Sequence, residues 1–564
     1  MLHPVRLHPA RKPSKMRQLI LMPPIVSKPP VSKAPVSRPP ESAAPLAGPR
    51  LRVPRLCVAV QAGSVVELLE RADAALADSK FIELRLDALA KPADAPPRLK
   101  EFFSARHDVI AIATCRRKPF GGHFVRSLTE EISILQAAAE AGCKIVDLEV
   151  ESAEEAGPRV LQKFRDGLHA AGTALLISFH DFTQTKNLEQ AAARIEAFHP
   201  DFVKLVSTAK TLADNLAVLK LIEERSLSAQ VVGIAMGEEG LVSRVLGPRA
   251  GAAFTFASFS DGDETAPGQV SSRTLRDLYR IDQLDRATQL FGVAGNPIAH
   301  SLSPLMHNTA FRKENVNAVM MPLKVRALND LLKVVRELPL SGLAVTMPLK
   351  QEVLPHLANP VLGRQMPLTH RIGACNTLRV GSDGKIIGFN TDVDGVIRPL
   401  EKRLPLKGAR VAVLGAGGAA RAAVFGLVDK GAEVYVVNRT HEKAVALAKE
   451  ARAKALKHEQ LPKHHFDVLI NSTPCGMAGG GMKDSKQALP LAENELNAGL
   501  VFDMVYNPLE TPLLKLARQR GIPVVTGLEM FVQQGARQFE IWTGKPAPEA
   551  EMLRVVELEL KRRG

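Results

Sequence analysis

The chain is poor in the residues that hold small secreted folds together. It has only five cysteines, Cys57, Cys115, Cys143, Cys375 and Cys475, an odd number without metal-ligand or redox spacing. That excludes a disulfide framework and favours reduced thiols in a cytosol-like compartment. No apolar run approaches the length needed to cross a bilayer, so no membrane association is expected. Aromatics are scarce, with one Trp and three Tyr, and the first fifty residues contain none. A basic arm without stacking side chains is a poor single-strand binder, and no nucleic-acid partner is expected. Acids are also nearly absent there: Glu41 stands alone against nine Lys and Arg, so more than half of the +15 net charge sits in that stretch. The modest remainder suits enzymes that bind anionic metabolites.

At 564 residues, 46% hydrophobic and 24% charged, the chain has length and apolar content for several cored domains. Residues 1–52 hold twelve prolines and a repeated Val-Ser-Lys/Arg-Pro pattern, which reads as a disordered, polyproline-like arm. An inert extension, an organelle-targeting peptide and a basic interaction arm are all open for it. From 53 to 286, eight short apolar runs alternate with amphipathic stretches: 57–62, 81–87, 109–115, 145–150, 175–181, 202–209, 231–237 and 254–259. Eight strands alternating with helices over that length predict a (β/α)8 barrel, whose chemistry belongs at the strand C-terminal ends. The charged segment 273–288 is expected to be helical and to close the barrel before a linker. From Leu290 the alternation restarts. A further α/β domain is expected over 287–400, completed by C-terminal helices at 530–564, with a nucleotide-binding domain over 401–529. The expected fold is α/β throughout.

The nucleotide-binding signal is local. The apolar strand Val411–Leu414 runs into Gly415, Ala416, Gly417, Gly418, Ala419 and Ala420, followed by an Ala-rich helix. This is the dinucleotide fingerprint in its strand–turn–helix setting, with glycines for the tight turn and helix N–H groups for the pyrophosphate. The next strand ends in Asn438, Arg439 and Thr440 where NAD enzymes place an acid. An arginine there pairs with a 2′-phosphate and predicts NADP(H). Thr473, after a third strand, and Gly527 are further cofactor-side candidates.

A series of spaced motifs then carries a resemblance. GNPIAHSLSPLMHN (295–308), VTMPLK (345–350), GACNTL (373–378), GFNTDVDG (388–395), VYNPLETPLL (505–514) and GLEMFVQQGARQFEIWTG (527–544) resemble shikimate dehydrogenases across 290–564. The resemblance implies a Lys350–Asp392 pair that supplies the proton needed when hydride reduces a ketone. It also implies substrate contacts from Ser301, Ser303, Thr346, Asn376, Tyr506 and Gln534. Read alone, the two serines fit helix capping as well. Ala344 replaces an Asn of many relatives, and a polar contact near the substrate is expected to be missing.

The first half resembles type I 3-dehydroquinate dehydratases over about 55–280, through ELRLD (83–87), TCR (114–116), ISFHDF (177–182), FVKLVSTA (202–209), MGEEGLVSRV (236–245) and TAPGQV (265–270). Lys204 lies among apolar residues, where a lysine must be paired or deprotonated, and a free amine there can form a Schiff base with a ketone. His180 is the matching general acid/base, Arg244 the carboxylate anchor, and Glu83, Arg85, Arg116, Thr265 and Gln269 match other substrate contacts. Thr265 replaces a common Ser and keeps the hydroxyl. Phe120 stands where many relatives have a Glu that assists the histidine, so His180 is expected to lack that partner and the half-reaction to run slower or use another acid, with the Schiff-base chemistry kept.

The combined expectation is a two-enzyme chain acting on 3-dehydroquinate, 3-dehydroshikimate and shikimate with NADP(H) and no metal. It would work in the cytoplasm, or in a plastid if the arm is a transit peptide. Quinate use by the second half, and a non-catalytic scaffold role for one half, are the alternatives.

Overall fold

The computed structural model describes residues 51–359, 361–477 and 488–563. The reading of the arm, apart from residues 51 and 52, lies outside the described residues.

Eight parallel strands build the first half: β1 (Leu56–Val60), β2 (Phe81–Arg85), β3 (Ile110–Thr114), β4 (Ile145–Glu149), β5 (Ala174–His180), β6 (Phe202–Thr208), β7 (Gln230–Met236) and β8 (Thr255–Ser258). They pair in the order β7-β6-β5-β4-β3-β2-β1-β8, so the barrel is nearly closed, its β7–β8 seam adjacent but without a ladder. Almost every strand residue is buried, because one face meets the barrel interior and the other the surrounding helices. Scarce aromatics are concentrated inside: Phe254 packs edge-on against Phe81 at 4.8 Å and near Phe202 at 6.0 Å. Such pairs add about 0.5–1.5 kcal/mol each beyond area burial. Leu51 and Val53 pack onto this interior cluster.

The helix expected over 273–288 is confined to one wide turn at Thr274–Leu278 and a short turn at Ile281–Gln283. Arg280 between them has a left-handed φ of 52°, which an α-helix cannot continue through. Arg55 holds the returning chain by donating to the Ile281 and Leu284 carbonyls at 3.2 and 2.6 Å.

Strands β9 (Gln289–Gly295), β10 (Ala318–Lys324), β11 (Leu340–Val345), β12 (Gly363–Gln365), β13 (Thr377–Val380) and β14 (Ile386–Phe389) form a mixed sheet, ordered β10-β9-β11-β13-β14-β12. The C-terminal helices Gly527–Thr543 and Glu549–Arg563 return to this sheet. Trp542 packs on Phe291 and donates to the Leu378 carbonyl at 2.9 Å, so the last forty residues complete this domain's core. Ala344 is buried in the same apolar cluster.

Between these parts lies an all-parallel sheet of β15 (Arg410–Leu414), β16 (Glu433–Val437), β17 (Lys454–Leu456), β18 (Val468–Asn471), β19 (Val501–Asp503) and β20 (Val524–Val525). Its order is β17-β16-β15-β18-β19-β20, the doubly wound arrangement in which the crevice beyond β15 and β18 is the ligand position.

Candidate active sites

The barrel interior holds a charged cluster at its C-terminal end. Two acids two residues apart on β4, Asp147 and Glu149, share the inward face. Lys204 of β6 donates to Asp147 at 2.8 Å, with Glu83 of β2 at 3.7 Å and the Phe256 ring 4.3 Å from Nζ. The lysine is therefore paired. Asp147 also faces Arg116 at 3.3 Å and accepts from Ser178 at 2.6 Å. Burial would raise the Asp147 carboxyl, but Lys204 and Arg116 outweigh it and hold the group well below the usual range.

His180, the last residue of β5, has a carboxylate partner. Both Glu149 oxygens lie 3.0 Å from His180 Nδ1. Position 120 supplies no carboxylate, since Phe120 sits in a short turn beneath the Arg117 guanidinium at 5.1 Å; the carboxylate beside His180 comes from β4 instead. Burial, helped by the Arg116 and Lys204 charges, pushes His180 well below its ordinary value, so the imidazole is neutral and able to accept a proton. Burial likewise pushes Glu149 up to about 7, against the pull of Arg116 at 3.2 Å. Phe182 stacks over the His180 ring at 5.9 Å, and its own ring closes on Gly121, where φ is 80° and a Cβ would push that ring aside.

The remaining candidates surround this cluster. Glu83 accepts from Thr114 at 2.8 Å, and Arg85 is bound bidentately by Asp87 at 2.9 and 2.7 Å. Arg244 is 1% exposed and, among the described residues, has no carboxylate partner; its Nη2 donates to the Pro267 carbonyl at 3.3 Å and its Nε has no partner. Burial brings its guanidinium down to about 10. An isolated buried cation is costly unless an anion arrives. Pro267 belongs to the loop where Gln269 accepts from the Thr265 amide and hydroxyl at 2.7 and 3.0 Å, and Ala266 packs toward the barrel interior. Glu149, Asp147 and Asp87 are the functional positions that sequence reasoning passed over.

In the second half, Lys350 follows β11 and its Nζ lies 2.7 Å from Asp392 Oδ2. Asp392 Oδ1 accepts from Asn376 at 2.9 Å, whose own Oδ1 accepts from the Thr391 amide at 2.8 Å. A buried relay backs this group: His307 meets Gln538 at 3.2 Å, and Gln538 donates to the Thr377 hydroxyl at 3.0 Å. Burial brings His307 down to about 4. Ser301 Oγ accepts from the Ser303 amide at 3.3 Å, a local turn that starts helix Ser303–Lys313. Thr346 is tied beside the end of β9 by its amide bond to Ala294 at 2.9 Å. Tyr506 stacks on Phe531 at 5.0 Å, and Gln534 packs by Gly395, one turn after Asp392.

At the crevice of the parallel sheet, Gly415 turns the chain with φ 116° against Ser472 and Thr473. Ala416 and Ala419 flank Gly417 and Gly418, and a Cβ at either glycine would meet nothing within 4 Å. The loop therefore has open space ahead of the first amides of helix Gly418–Asp429. Arg439 is exposed and, among the described residues, has no ion-pair or hydrogen-bond partner; Asn438 braces the turn by donating to the Thr440 carbonyl at 2.9 Å. A dinucleotide with a 2′-phosphate fits this loop and this free guanidinium. Thr473 Oγ1 donates to Asn471 at 2.7 Å. Gly527 is buried against the Val505 backbone, so close packing alone requires glycine there.

Family models match the chain in sequence. They are described as type I 3-dehydroquinase over residues 56–286, shikimate dehydrogenase substrate binding domain over 293–378, shikimate/quinate 5-dehydrogenase over 399–489, and shikimate 5′-dehydrogenase C-terminal domain over 527–557. The chain is 33% identical over 516 residues to the chloroplastic bifunctional 3-dehydroquinate dehydratase/shikimate dehydrogenase of Arabidopsis thaliana, covering 87% of this chain and 82% of that one. It is 42% identical over 285 residues to the NADP(+) shikimate dehydrogenase of Methanosarcina acetivorans, covering 48% of this chain and 98% of the other. A solved shikimate 5-dehydrogenase of Thermus thermophilus, in complex with NADP(H) and shikimate, is 36% identical with a TM-score of 0.43, over 48% of this chain and 99% of its own.

Proposed function

The chain belongs to the bifunctional 3-dehydroquinate dehydratase/shikimate dehydrogenase family of the shikimate pathway, and on that premise we propose how its residues divide the work. The observation that carries the barrel reading is the buried Lys204 beside the His180–Glu149 pair. Lys204 passes its ammonium proton to His180, the freed Nζ attacks the ketone of 3-dehydroquinate, and His180 returns that proton to the carbinolamine hydroxyl, which leaves as water and gives a protonated imine. His180 takes the adjacent α-proton, with the electron pair flowing into the imine to give an enamine. Collapse of the enamine expels the β-hydroxyl, protonated by His180 as it leaves as water. Hydrolysis of the imine frees 3-dehydroshikimate and restores Lys204. Glu149 orients the ring and balances the charge His180 gains. Arg244 anchors the substrate carboxylate, and Glu83, Arg85, Arg116, Thr265 and Gln269 line the substrate. Reduction by borohydride in the presence of 3-dehydroquinate should fix an adduct on Lys204; a chain that turns over without such an adduct would overturn the imine step.

NADPH, when bound, supplies the hydride for the second reaction. Gly415, Ala416, Gly417, Gly418 and Ala419 would hold its pyrophosphate, Asn438, Arg439 and Thr440 its 2′-phosphate, with Thr473 and Gly527 shaping the crevice. Lys350, oriented by Asp392, gives a proton to the alkoxide oxygen as 3-dehydroshikimate becomes shikimate. Ser301 and Ser303 bind the carboxylate, and Thr346, Asn376, Tyr506 and Gln534 contact the ring hydroxyls. Comparing quinate and shikimate as substrates with each nicotinamide cofactor tests the preference for shikimate, which the paired serines and Thr346 support. Among the described residues no helix is long and apolar enough to cross a membrane. Cytoplasm and plastid both suit a chain whose five cysteines are free thiols.

A further inference from the structure

The dehydrogenase half meets the barrel at the end where the barrel's chemistry sits. Strand β10 ends at Lys324, and the chain from there into helix Leu328–Glu337 lies against two barrel loops. The first follows β6, the strand of Lys204. There Asp330 accepts from the Leu212 and Ala213 amides at 2.8 and 3.0 Å. These amides lead into helix Asp214–Arg225, whose own N-cap residue, Ala213, offers no side-chain cap. A carboxylate from the other enzyme stands in for one.

The second loop follows β7. Glu239, with its side chain 8% exposed, binds Arg326 Nε and Nη2 at 3.0 and 2.7 Å and Lys324 at 3.3 Å, while Glu238 also pairs with Lys324. All ion pairs of Glu239 among the described residues are with the dehydrogenase half.

Asn215 ties the two loops together by donating to the Leu212 and Glu239 carbonyls at 2.9 and 2.8 Å and accepting from the Ser243 amide at 2.9 Å. Ser243 directly precedes Arg244. The Gly237 amide donates to the Pro267 carbonyl at 2.9 Å, the same oxygen that receives Arg244. Hydrogen bonds joined by one- to three-residue stretches of backbone therefore link Arg326 and Asp330 to Arg244 and to the loop bearing Thr265 and Gln269. We propose that Arg326 and Asp330 of the dehydrogenase half are positioning residues for the dehydratase, holding the β6 and β7 loops so that Arg244 and the 265–269 loop seat the substrate carboxylate. The proposal rests on the barrel being the dehydratase with Arg244 as its carboxylate anchor.

The test uses the full chain with Arg326→Ala and Asp330→Ala made separately, each assayed for 3-dehydroquinate dehydration, for shikimate oxidation with NADP+, and for thermal unfolding. The KM for 3-dehydroquinate should rise about tenfold in each while dehydratase kcat stays within about twofold, the signature of lost ground-state positioning. Dehydrogenase constants should stay unchanged, and Arg326→Lys should recover much of the loss. An unchanged KM in both variants overturns the proposal. So does a joint fall of both activities with unfolding temperature, which marks a merely structural contact. A wild-type chain inert toward 3-dehydroquinate would instead remove the dehydratase reading itself.

Discussion

Glu149 straddles the Nδ1 edge of His180, with each carboxylate oxygen 3.0 Å away. With Glu149 ionised, Nδ1 carries the hydrogen and Nε2 is left free to act on substrate. Because burial pushes Glu149 up to about 7, dehydratase kcat should rise through that pH as the carboxylate ionises. Glu149→Gln should lower kcat by on the order of a hundredfold and abolish that rise, while borohydride still traps Lys204. Phe120→Leu should leave kcat within about twofold. Both follow from steady-state rates between pH 5 and 9.

Arg244 is a cation buried without a counter-ion among the described residues. Arg244→Met should therefore stabilise the free barrel by about 1 kcal/mol or more while weakening 3-dehydroquinate binding by on the order of a hundredfold. Thermal unfolding and KM, measured on the same preparation, should move in opposite functional directions. A loss of stability in the variant would mean that the arginine is satisfied by protein groups alone.

Arg439 has no partner among the described residues to release. Arg439→Ala should raise the KM for NADPH by about tenfold to a hundredfold and leave the KM for NADH nearly unchanged, since only the 2′-phosphate contact is lost. Equal losses with both cofactors would place the residue outside the 2′-phosphate site.

His307 is held neutral, with a folded value of about 4 against about 6.5 when unfolded. Between those values the unfolded chain binds the extra proton, so stability rises with pH and is lost as pH falls from about 6.5 to 4. The loss amounts to about 3 kcal/mol. Unfolding of the dehydrogenase half, followed through Trp542, should show this slope in the wild type and a shallower one in His307→Asn.

Lys204 and the glycine loop were legible in the chain because each breaks a strong local pattern: a cation inside an apolar strand, and glycines where a strand meets a helix. Glu149 was not. A carboxylate at a strand end is ordinarily a solvent-facing residue, and only the inward face shared with Asp147, set by strand periodicity and the barrel's closure, turns it toward His180. The signal was present as two acids two residues apart in the apolar run 145–150. The break of the helix after the wide turn at Thr274–Leu278 was illegible for a different reason: helical patterning across 273–288 gives no warning of the left-handed Arg280. The contacts of Arg326 and Asp330 with the barrel join residues about 90 to 120 positions apart, which no local pattern encodes.

The most direct measurement is NADPH consumption by the intact chain supplied with 3-dehydroquinate alone. The absorbance of NADPH should fall as shikimate accumulates, and Lys204→Ala should stop this while leaving 3-dehydroshikimate reduction intact. A wild-type chain that oxidises NADPH with 3-dehydroshikimate but not with 3-dehydroquinate would contradict the two-enzyme account.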